Sequence, residues 1–239
     1  LIPLFLLGGC VTGGIMGERD AALVTSRYEE LERIGEQETA GLKQVSSPKL
    51  MPLCMAYSKL KRYNKLFPCL DRLEDNIRKG DKRFMDYEEF AKRNPLMAGL
   101  AMMGSAVAGG RKALEGDISP FPYLMRAEAY IDLGRYAEAV EQAKKSHDSI
   151  PTDLQSARQM QVWTTGMLGL AYALGGERDN ALKTATELEN ISTAYPYGLL
   201  KGDKGVGLAK IYLALKNYPK ALDAMEQNKD NLFDSFAKG

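Results

Sequence analysis

The chain has few of the side chains on which metal and catalytic sites are built. Its 239 residues include one histidine, His147, and three cysteines, none of which form a closely spaced metal-binding pair. A structural zinc site takes four ligands, mostly cysteine and histidine. His147 precedes Asp148 near the end of a predicted helix, where a solvated histidine is favoured. No constellation of acid, base and nucleophile stands out. The sequence therefore predicts a protein that is not an enzyme and that holds no metal or cofactor.

The sequence also disfavours a β-sheet fold and a nucleic-acid-binding function. Alternating runs of valine, isoleucine and threonine are almost absent, which argues against a β-sheet. Lysine and arginine number 32 against 31 aspartates and glutamates, and the charges are interspersed along the chain. A nucleic-acid-binding protein normally carries a basic stripe. We therefore expect no nucleic-acid partner.

A pattern of about a dozen residues recurs in the second half of the chain. Each of three tyrosines is preceded three residues earlier by a small residue and followed nine residues later by an alanine. The three sets are Ala127, Tyr130 and Ala139; Gly169, Tyr172 and Ala181; and Ala209, Tyr212 and Ala221. A weaker fourth copy contains Cys54, Tyr57 and Leu66. Small residues that face each other across a tight turn allow antiparallel helices to approach closely, so the pattern predicts helical hairpins.

This pattern resembles the tetratricopeptide repeat. The resemblance implies an all-α fold, a right-handed superhelical solenoid of about five antiparallel helix hairpins plus an N-terminal helix. Two features depart from the family: Leu66 is large where alanine is usual, and the usual early tryptophan is absent from every copy. The interval of 73 residues between Tyr57 and Tyr130 predicts one more hairpin. Its first helix would lie in "KRFMDYEEFAKR" and its second would follow Pro95.

The predicted organisation has four parts. Residues 1–17 form a signal remnant and tether, 18–45 a capping helix from about Glu18 to Leu42, 46–229 the repeat domain and 230–239 a tail. The hairpins are expected at about 49–79, 82–115, 120–149, 152–192 and 197–229. The uncharged, methionine-rich segment 96–110 is expected to be a buried helix, with an adaptable docking surface as the alternative.

The opening "LIPLFLLGGC" resembles the lipobox of bacterial lipoproteins. Leu7, Gly8 and Gly9 fill the lipobox positions, and Cys10 would be the lipidated residue. The resemblance implies a soluble domain held to a membrane by acyl chains. The alternative is an apolar tail or the end of a transmembrane helix, but nine apolar residues are too few to cross a bilayer. Val11 differs from the aspartate typical of inner-membrane retention, which favours an outer-membrane lipoprotein facing the periplasm.

Cys54 and Cys69 remain if Cys10 carries lipid. A disulfide between them is chemically permitted outside the cytoplasm. However, pairing Cys54 with Leu66 across the first hairpin places Cys69 about three residues out of register. We therefore expect two packed thiols.

In the family, the first helices of successive hairpins line a concave groove. The resemblance implies that residues six and two before each tyrosine point into it, with an aromatic residue nine before two of the tyrosines near the rim. These positions hold Met51, Met55, Leu124, Glu128, Gly166, Leu170, Val206 and Lys210, with Phe121 and Trp163 at the rim. The alternative for each residue is packing within the hairpins. The lysine and asparagine pattern of the carboxylate-clamp subclass is not kept, and the mostly apolar set suits a partner segment with an apolar face.

The hypothesis that follows is a membrane-anchored adaptor or assembly scaffold of the bacterial envelope. Its partner would be an envelope protein or peptide segment. One alternative is a periplasmic solute-binding or transporter-associated component, which a closed apolar pocket would favour. Another is the non-catalytic part of a longer enzyme.

Overall fold

The computed structural model describes residues 22, 26–83, 86, 91–92, 117–150, 157–192 and 199–226. These residues form helices and turns, and no strand occurs among them. The helices are α1 (Tyr28–Thr39), α2 (Ser47–Lys59), α3 (Tyr63–Arg78), α4 (Phe121–Asp132), α5 (Tyr136–Asp148), α6 (Ala157–Leu174), α7 (Arg178–Asn190) and α8 (Leu199–Ala214). A further helix, α9, covers 218–226. The expected all-α architecture of helical hairpins is confirmed.

Several predicted segments lie outside the described residues. They are the lipobox and tether in residues 1–17, the tail 230–239, the methionine-rich segment 96–110 and nearly all of the hairpin expected at 82–115.

The four tyrosine-containing hairpins share one turn geometry. The residue five after each tyrosine donates its backbone N–H to the tyrosine carbonyl oxygen, with N to O distances of 2.8 to 2.9 Å. The residue four after each tyrosine has a positive φ. These residues are Lys61, Gly134, Gly176 and Lys216, with φ of 55°, 71°, 80° and 57°. A left-handed residue just after a helix satisfies carbonyl groups left open at the helix end. The shared turn confirms that the four sequence copies are structural equivalents.

A fifth turn of the same geometry precedes α1. Ser26 has a φ of 56°, and Arg27 donates its N–H to the carbonyl of Ala22 at 2.9 Å. Leu31, nine residues after Ala22, is fully buried. The continuous helix predicted from Glu18 to Leu42 is therefore interrupted at Ser26, and α1 begins directly after a turn of the repeat type. The sequence pattern missed this copy because alanine stands at the tyrosine position.

The chain divides into two compact units, residues 1–122 and 123–239. In the first unit, α2 packs against both α1 and α3. Aliphatic side chains from all three helices are buried there: Leu31, Ile34, Leu50, Leu53, Leu66, Leu70 and Leu73. A Cβ atom on Gly35 of α1 would lie 2.9 Å from Cδ1 of Leu53, so these helices are in close contact.

A disulfide joins Cys54 of α2 to Cys69 of α3, with their Cα atoms 5.7 Å apart. The expectation of two packed thiols was wrong because it took the helix register from an assumed pairing of Cys54 with Leu66. Cys54 lies five residues before Lys59, the last residue of α2, and Cys69 lies six residues after Tyr63, the first residue of α3. The two cysteines therefore lie at similar heights above the turn, which allows their side chains to meet.

In the second unit, α6 packs against α5, α7 and α8. The small residues of the repeat pattern are in its core. Ala127, Ala139, Ala181, Ala209 and Ala221 are all buried in one hydrophobic cluster. A Cβ atom on Gly169 would lie only 2.5 Å from Cδ1 of Ile211, and one on Gly166 would lie 3.5 Å from the Cα of Gly207. Because these glycines have no side chain, the backbone of α6 can lie directly against residues of α8.

Candidate partner-binding face

Helix α6 carries a row of partly exposed apolar side chains along one side. The spacing alternates between three and four residues, which keeps the side chains on one face of a helix. The row, here called the α6 stripe, contains Met160, Trp163, Met167, Leu170 and Leu174. Trp163, Met167 and Leu170 also pack against the buried core of the second unit. The stripe is therefore both accessible and supported from beneath.

Trp163 is fixed by a polar contact to the next hairpin. Its indole Nε1 donates a hydrogen bond to Oδ2 of Asp203 on α8 at 2.8 Å. Trp163 and Asp203 each lie nine residues before the tyrosine of their repeat, so they are equivalent positions in consecutive hairpins. The ring remains partly exposed. Trp163 thus takes part in packing between hairpins while still offering part of an aromatic surface.

Helix α8 places further side chains beside α6. Val206 and Leu213 are 46% and 48% exposed, and Lys210 is also exposed. Leu124 and Glu128, on α4 of the same unit, are partly exposed. The packing of α6 on α8 therefore puts Leu170, Val206 and Lys210 on two neighbouring helices. That these residues bind a partner stays a prediction.

The position six residues before the tyrosine is not a groove position in every repeat. Met51 is fully buried in the first unit, contrary to its predicted place on an exposed face. Gly166 is also buried, against Gly207 of the next first helix. The reason in α6 is that this position faces the following hairpin and not solvent.

The position two residues before the tyrosine behaves differently. It is at least partly exposed in all four copies, which hold Met55, Glu128, Leu170 and Lys210. Phe121 is partly exposed as well, but it belongs to the first unit, whereas most of α4 belongs to the second.

Sequence reasoning missed three members of the α6 stripe: Met160, Met167 and Leu174. The alternating spacing is present in "MQVWTTGMLGLAYAL". It was hidden because α6 is apolar on most of its circumference, so the exposed side does not stand out by composition.

The repeat tyrosines hold the framework through their polar ends and their rings. Tyr57 donates its hydroxyl to Oε1 of Glu36 at 2.9 Å, and Tyr212 donates to Oε1 of Glu189 at 2.8 Å. Burial, with the hydrogen bond to Glu189, raises the pKa of Tyr212 to about 12. A cation lies 4.6 to 5.4 Å from each of the four ring centroids, contributed by Lys65, Arg135, Lys144 and Lys220. The tyrosines therefore have structural partners.

A salt-bridge network surrounds Tyr57 in the first unit. Lys65 Nζ lies 2.8 Å from Oε1 of both Glu32 and Glu36. The hydrogen bond from Lys65, followed by that from Tyr57, lowers the pKa of Glu36. The bonds to Glu32 and Glu36 in turn raise the pKa of Lys65. The network links α1, α2 and α3 at their partly exposed surface.

His147 makes contacts typical of a helix end. Its Nε2 lies 3.2 Å from Oε1 of Glu187 on α7, and its Nδ1 lies 3.6 Å from Oδ1 of Asp148. Within the described ranges, no cluster of histidine, cysteine, aspartate and glutamate has the arrangement of a metal site. Among the same residues, no helix is both long and apolar enough to span a membrane.

Comparison with known proteins bears on the hairpin formed by α4 and α5. Residues 122–151 match the family model described as a tetratricopeptide repeat. No curated protein and no solved structure matches the chain. The matched residues include Tyr130, Gly134 and Ala139, whose turn is repeated elsewhere in the chain. The protein therefore has an all-α, tetratricopeptide-like helical-repeat fold, and such repeats generally mediate protein–protein interactions.

Proposed function

We propose that the protein is a membrane-anchored adaptor of the bacterial envelope. In this proposal, the α6 stripe and its neighbours on α8 hold an apolar segment of a partner protein. The observation that carries the proposal is the partly exposed α6 stripe on a well-packed helical framework. Methionine side chains adapt to many apolar shapes, and a held aromatic ring is a frequent source of binding energy. An amphipathic helix or an extended apolar segment fits such a face.

Two features support a location outside the cytoplasm. Cys10 follows a sequence that resembles a lipobox, which would place an acyl anchor at the start of the mature chain. The disulfide between Cys54 and Cys69 is of a kind that persists in oxidising compartments and is rare in the cytoplasm. Both features agree with an envelope lipoprotein whose repeats face the periplasm.

Site-specific photocrosslinking tests the adaptor proposal. A photoreactive amino acid replaces Leu170 on α6 or Lys210 on α8 in cells that express the full-length precursor. Lys183, exposed on α7, is the matched control position. We expect Leu170 and Lys210 to crosslink to the same envelope protein, because the two positions lie on packed helices. Crosslinking of that protein should be much weaker from position 183.

A substitution then tests whether the face supplies affinity. Leu170→Asp, with the photoreactive residue at 210, should reduce partner capture at least about tenfold, since a charge cannot enter an apolar contact without cost. Lys183→Asp should leave capture unchanged. Circular dichroism of both variants checks the fold. Equal crosslinking from 170, 210 and 183, or none from the first two, would overturn the adaptor proposal.

A further inference from the structure

Helix α9 leaves a row of large apolar side chains open to solvent. Tyr218, Leu222 and Met225 are 63%, 59% and 54% exposed. They are spaced four and three residues apart, so they lie along one flank of the helix. Lys220 and Asp223 are exposed elsewhere on the same helix, while Ala221 and Ala224 are buried against the core. Tyr218, Leu222 and Met225 are called the terminal apolar face below.

The positions equivalent to Leu222 and Met225 are covered in the other hairpins, whereas those equivalent to Tyr218 include the exposed Tyr136 and Arg178. Met225 lies thirteen residues after its repeat tyrosine, and the same position holds Leu70, Ala143 and Ala185, all fully buried. Leu222 lies ten residues after the tyrosine, where Phe67, Val140 and Leu182 are buried or partly buried. The cover in the second unit comes from the following hairpin. Helix α6 packs on α5, and α8 packs on α7.

The cover in these hairpins is apolar and closely fitted. A Cβ atom on Gly207 of α8 would lie 3.1 Å from Cδ2 of Leu188 on α7. Ala143, Ala185 and Leu188 belong to the same buried cluster as residues of α6 and α8. Leu222 and Met225 of the terminal apolar face have the position and the chemistry of these covered surfaces. What it requires is an apolar segment that packs along the side of α9.

We propose that the chain's own segment 231–237 covers the terminal apolar face. This segment, "NLFDSFA", follows α9 in the sequence and lies outside the described residues. Leu232, Phe233 and Phe236 are spaced so that they would share one side of a helical turn, with Asp234 and Ser235 turned away. The segment thus combines the largest apolar side chains near the end of the sequence with a polar outer side.

The segment is long enough to reach the face. Five residues lie between Glu226 and Leu232, and the six residue-to-residue steps can span up to about 20 Å when extended. Tyr218 and Met225 are seven positions apart in the sequence, which is about 10 Å along a helix. Covalent attachment also gives the segment an effective concentration on the order of millimolar, which favours it over a second molecule in dilute solution.

A double-mutant cycle on the full chain tests this proposal. Met225→Ser and Phe233→Ser are made separately and together, and unfolding is followed in urea. If the two side chains touch, each single substitution should lower the folding equilibrium constant severalfold. The double substitution should then lower this constant by much less than the product of the two single effects. Lys238→Ser is the control and should have no effect. The proposal would be overturned if the double variant showed the full product of the two single effects, or if Phe233→Ser had no effect on the folding equilibrium constant.

Hydrogen exchange provides a second readout that does not depend on global unfolding. Phe233→Ser should speed exchange of the amides in 218–226, whereas Lys238→Ser should leave them unchanged. Light scattering distinguishes the competing occupant. A concentration-dependent dimer of the unmodified chain, abolished by Leu222→Lys and retained in Phe233→Ser, would assign the face to a second copy and overturn the proposal.

Discussion

At the scale of single residues, the hairpin turns depend on a left-handed backbone four residues after the tyrosine position. Gly134 and Gly176 adopt this conformation without a steric penalty, but Ser26, Lys61 and Lys216 carry a Cβ atom there. For an L-residue, the left-handed region costs roughly 1 to 2 kcal/mol. Three of the five turns therefore carry a local strain that the other two avoid.

Replacing Lys216 by glycine should relieve this strain. We expect Lys216→Gly to raise the free energy of unfolding by about 0.5 to 1 kcal/mol, because part of the gain is offset by greater freedom of the unfolded chain. Lys183→Gly, in the middle of α7, should lower it by about 1 kcal/mol. Urea denaturation of both variants measures the difference. A loss of stability in Lys216→Gly would contradict the role assigned to the turn.

Most of the residue-level packing could be predicted from the sequence. Ala139, Ala181 and Ala221 are buried as expected, because their spacing from the tyrosine fixes their place after the turn. The pairing of Cys54 with Cys69 could not be predicted this way. The register assumed from pairing Cys54 with Leu66 differs from the one that the disulfide between Cys54 and Cys69 shows.

At the scale of helices, hydrogen bonds at the edges of the core connect consecutive hairpins. Tyr212 of α8 donates to Glu189 of α7. Lys204, also on α8, donates to the backbone carbonyl oxygens of Glu189 and Ile191 at 2.5 and 3.1 Å. Burial lowers the pKa of Lys204. The C-terminal end of α7 is therefore satisfied by side chains of the next hairpin as well as by its own turn.

The bond between Tyr212 and Glu189 predicts a dependence of stability on pH. The folded pKa of Tyr212 is raised to about 12 from an ordinary value of 10, so its contribution is complete below pH 10 and is lost as pH rises towards 12. Tyr212→Phe should cost about 0.5 to 1.5 kcal/mol at pH 8. The gap from the unmodified protein should narrow between pH 10 and 12. Urea midpoints across this range provide the measurement.

Tyr136→Phe is the matched control, since Tyr136 is exposed on α5. Its urea midpoints should follow those of the unmodified protein at every pH. A gap for Tyr212→Phe that stays constant between pH 10 and 12 would contradict the assigned hydrogen bond.

The sequence predicted the repeat helices better than it predicted their exposed sides. The repeat helices could be predicted because three of the repeat tyrosines are each followed by an alanine nine residues later. The turn at Ser26 was missed because Ala22 replaces the tyrosine, although Arg-Tyr follows the left-handed residue there as it follows Lys61 and Gly134. Exposure of Met51 was wrongly predicted because burial depends on which neighbouring element covers a helix, and a single repeat does not contain that information.

At the scale of the whole molecule, each compact unit has its own means of stabilisation. The second unit has a continuous core built from α4 to α9. The first unit adds a disulfide whose cysteines are 15 residues apart in sequence. Closing a loop of this length contributes about 3 kcal/mol in the chain-entropy description.

The proposed anchor predicts where the whole protein is found. In a full-length precursor, Cys10→Ser should move the protein from the membrane fraction to the soluble fraction, because the acyl chains would no longer be attached. Fractionation followed by immunoblotting measures this shift. Val11→Ser is a control that keeps the cysteine and should stay at the membrane. Unchanged partitioning of Cys10→Ser would exclude lipidation at this residue as the anchor.

Because the five turns have the same geometry, a segment that runs from one turn to the next can be removed or added as a unit. If the 40 residues 173–212 were excised, Tyr172 would be followed by Leu213, and Lys216 and Asn217 would take the places of Gly176 and Glu177. The backbone would meet the same turn geometry on both sides of the junction. Recombination between two such points in a gene could thus shorten or lengthen the array by one whole hairpin without creating a new kind of connection.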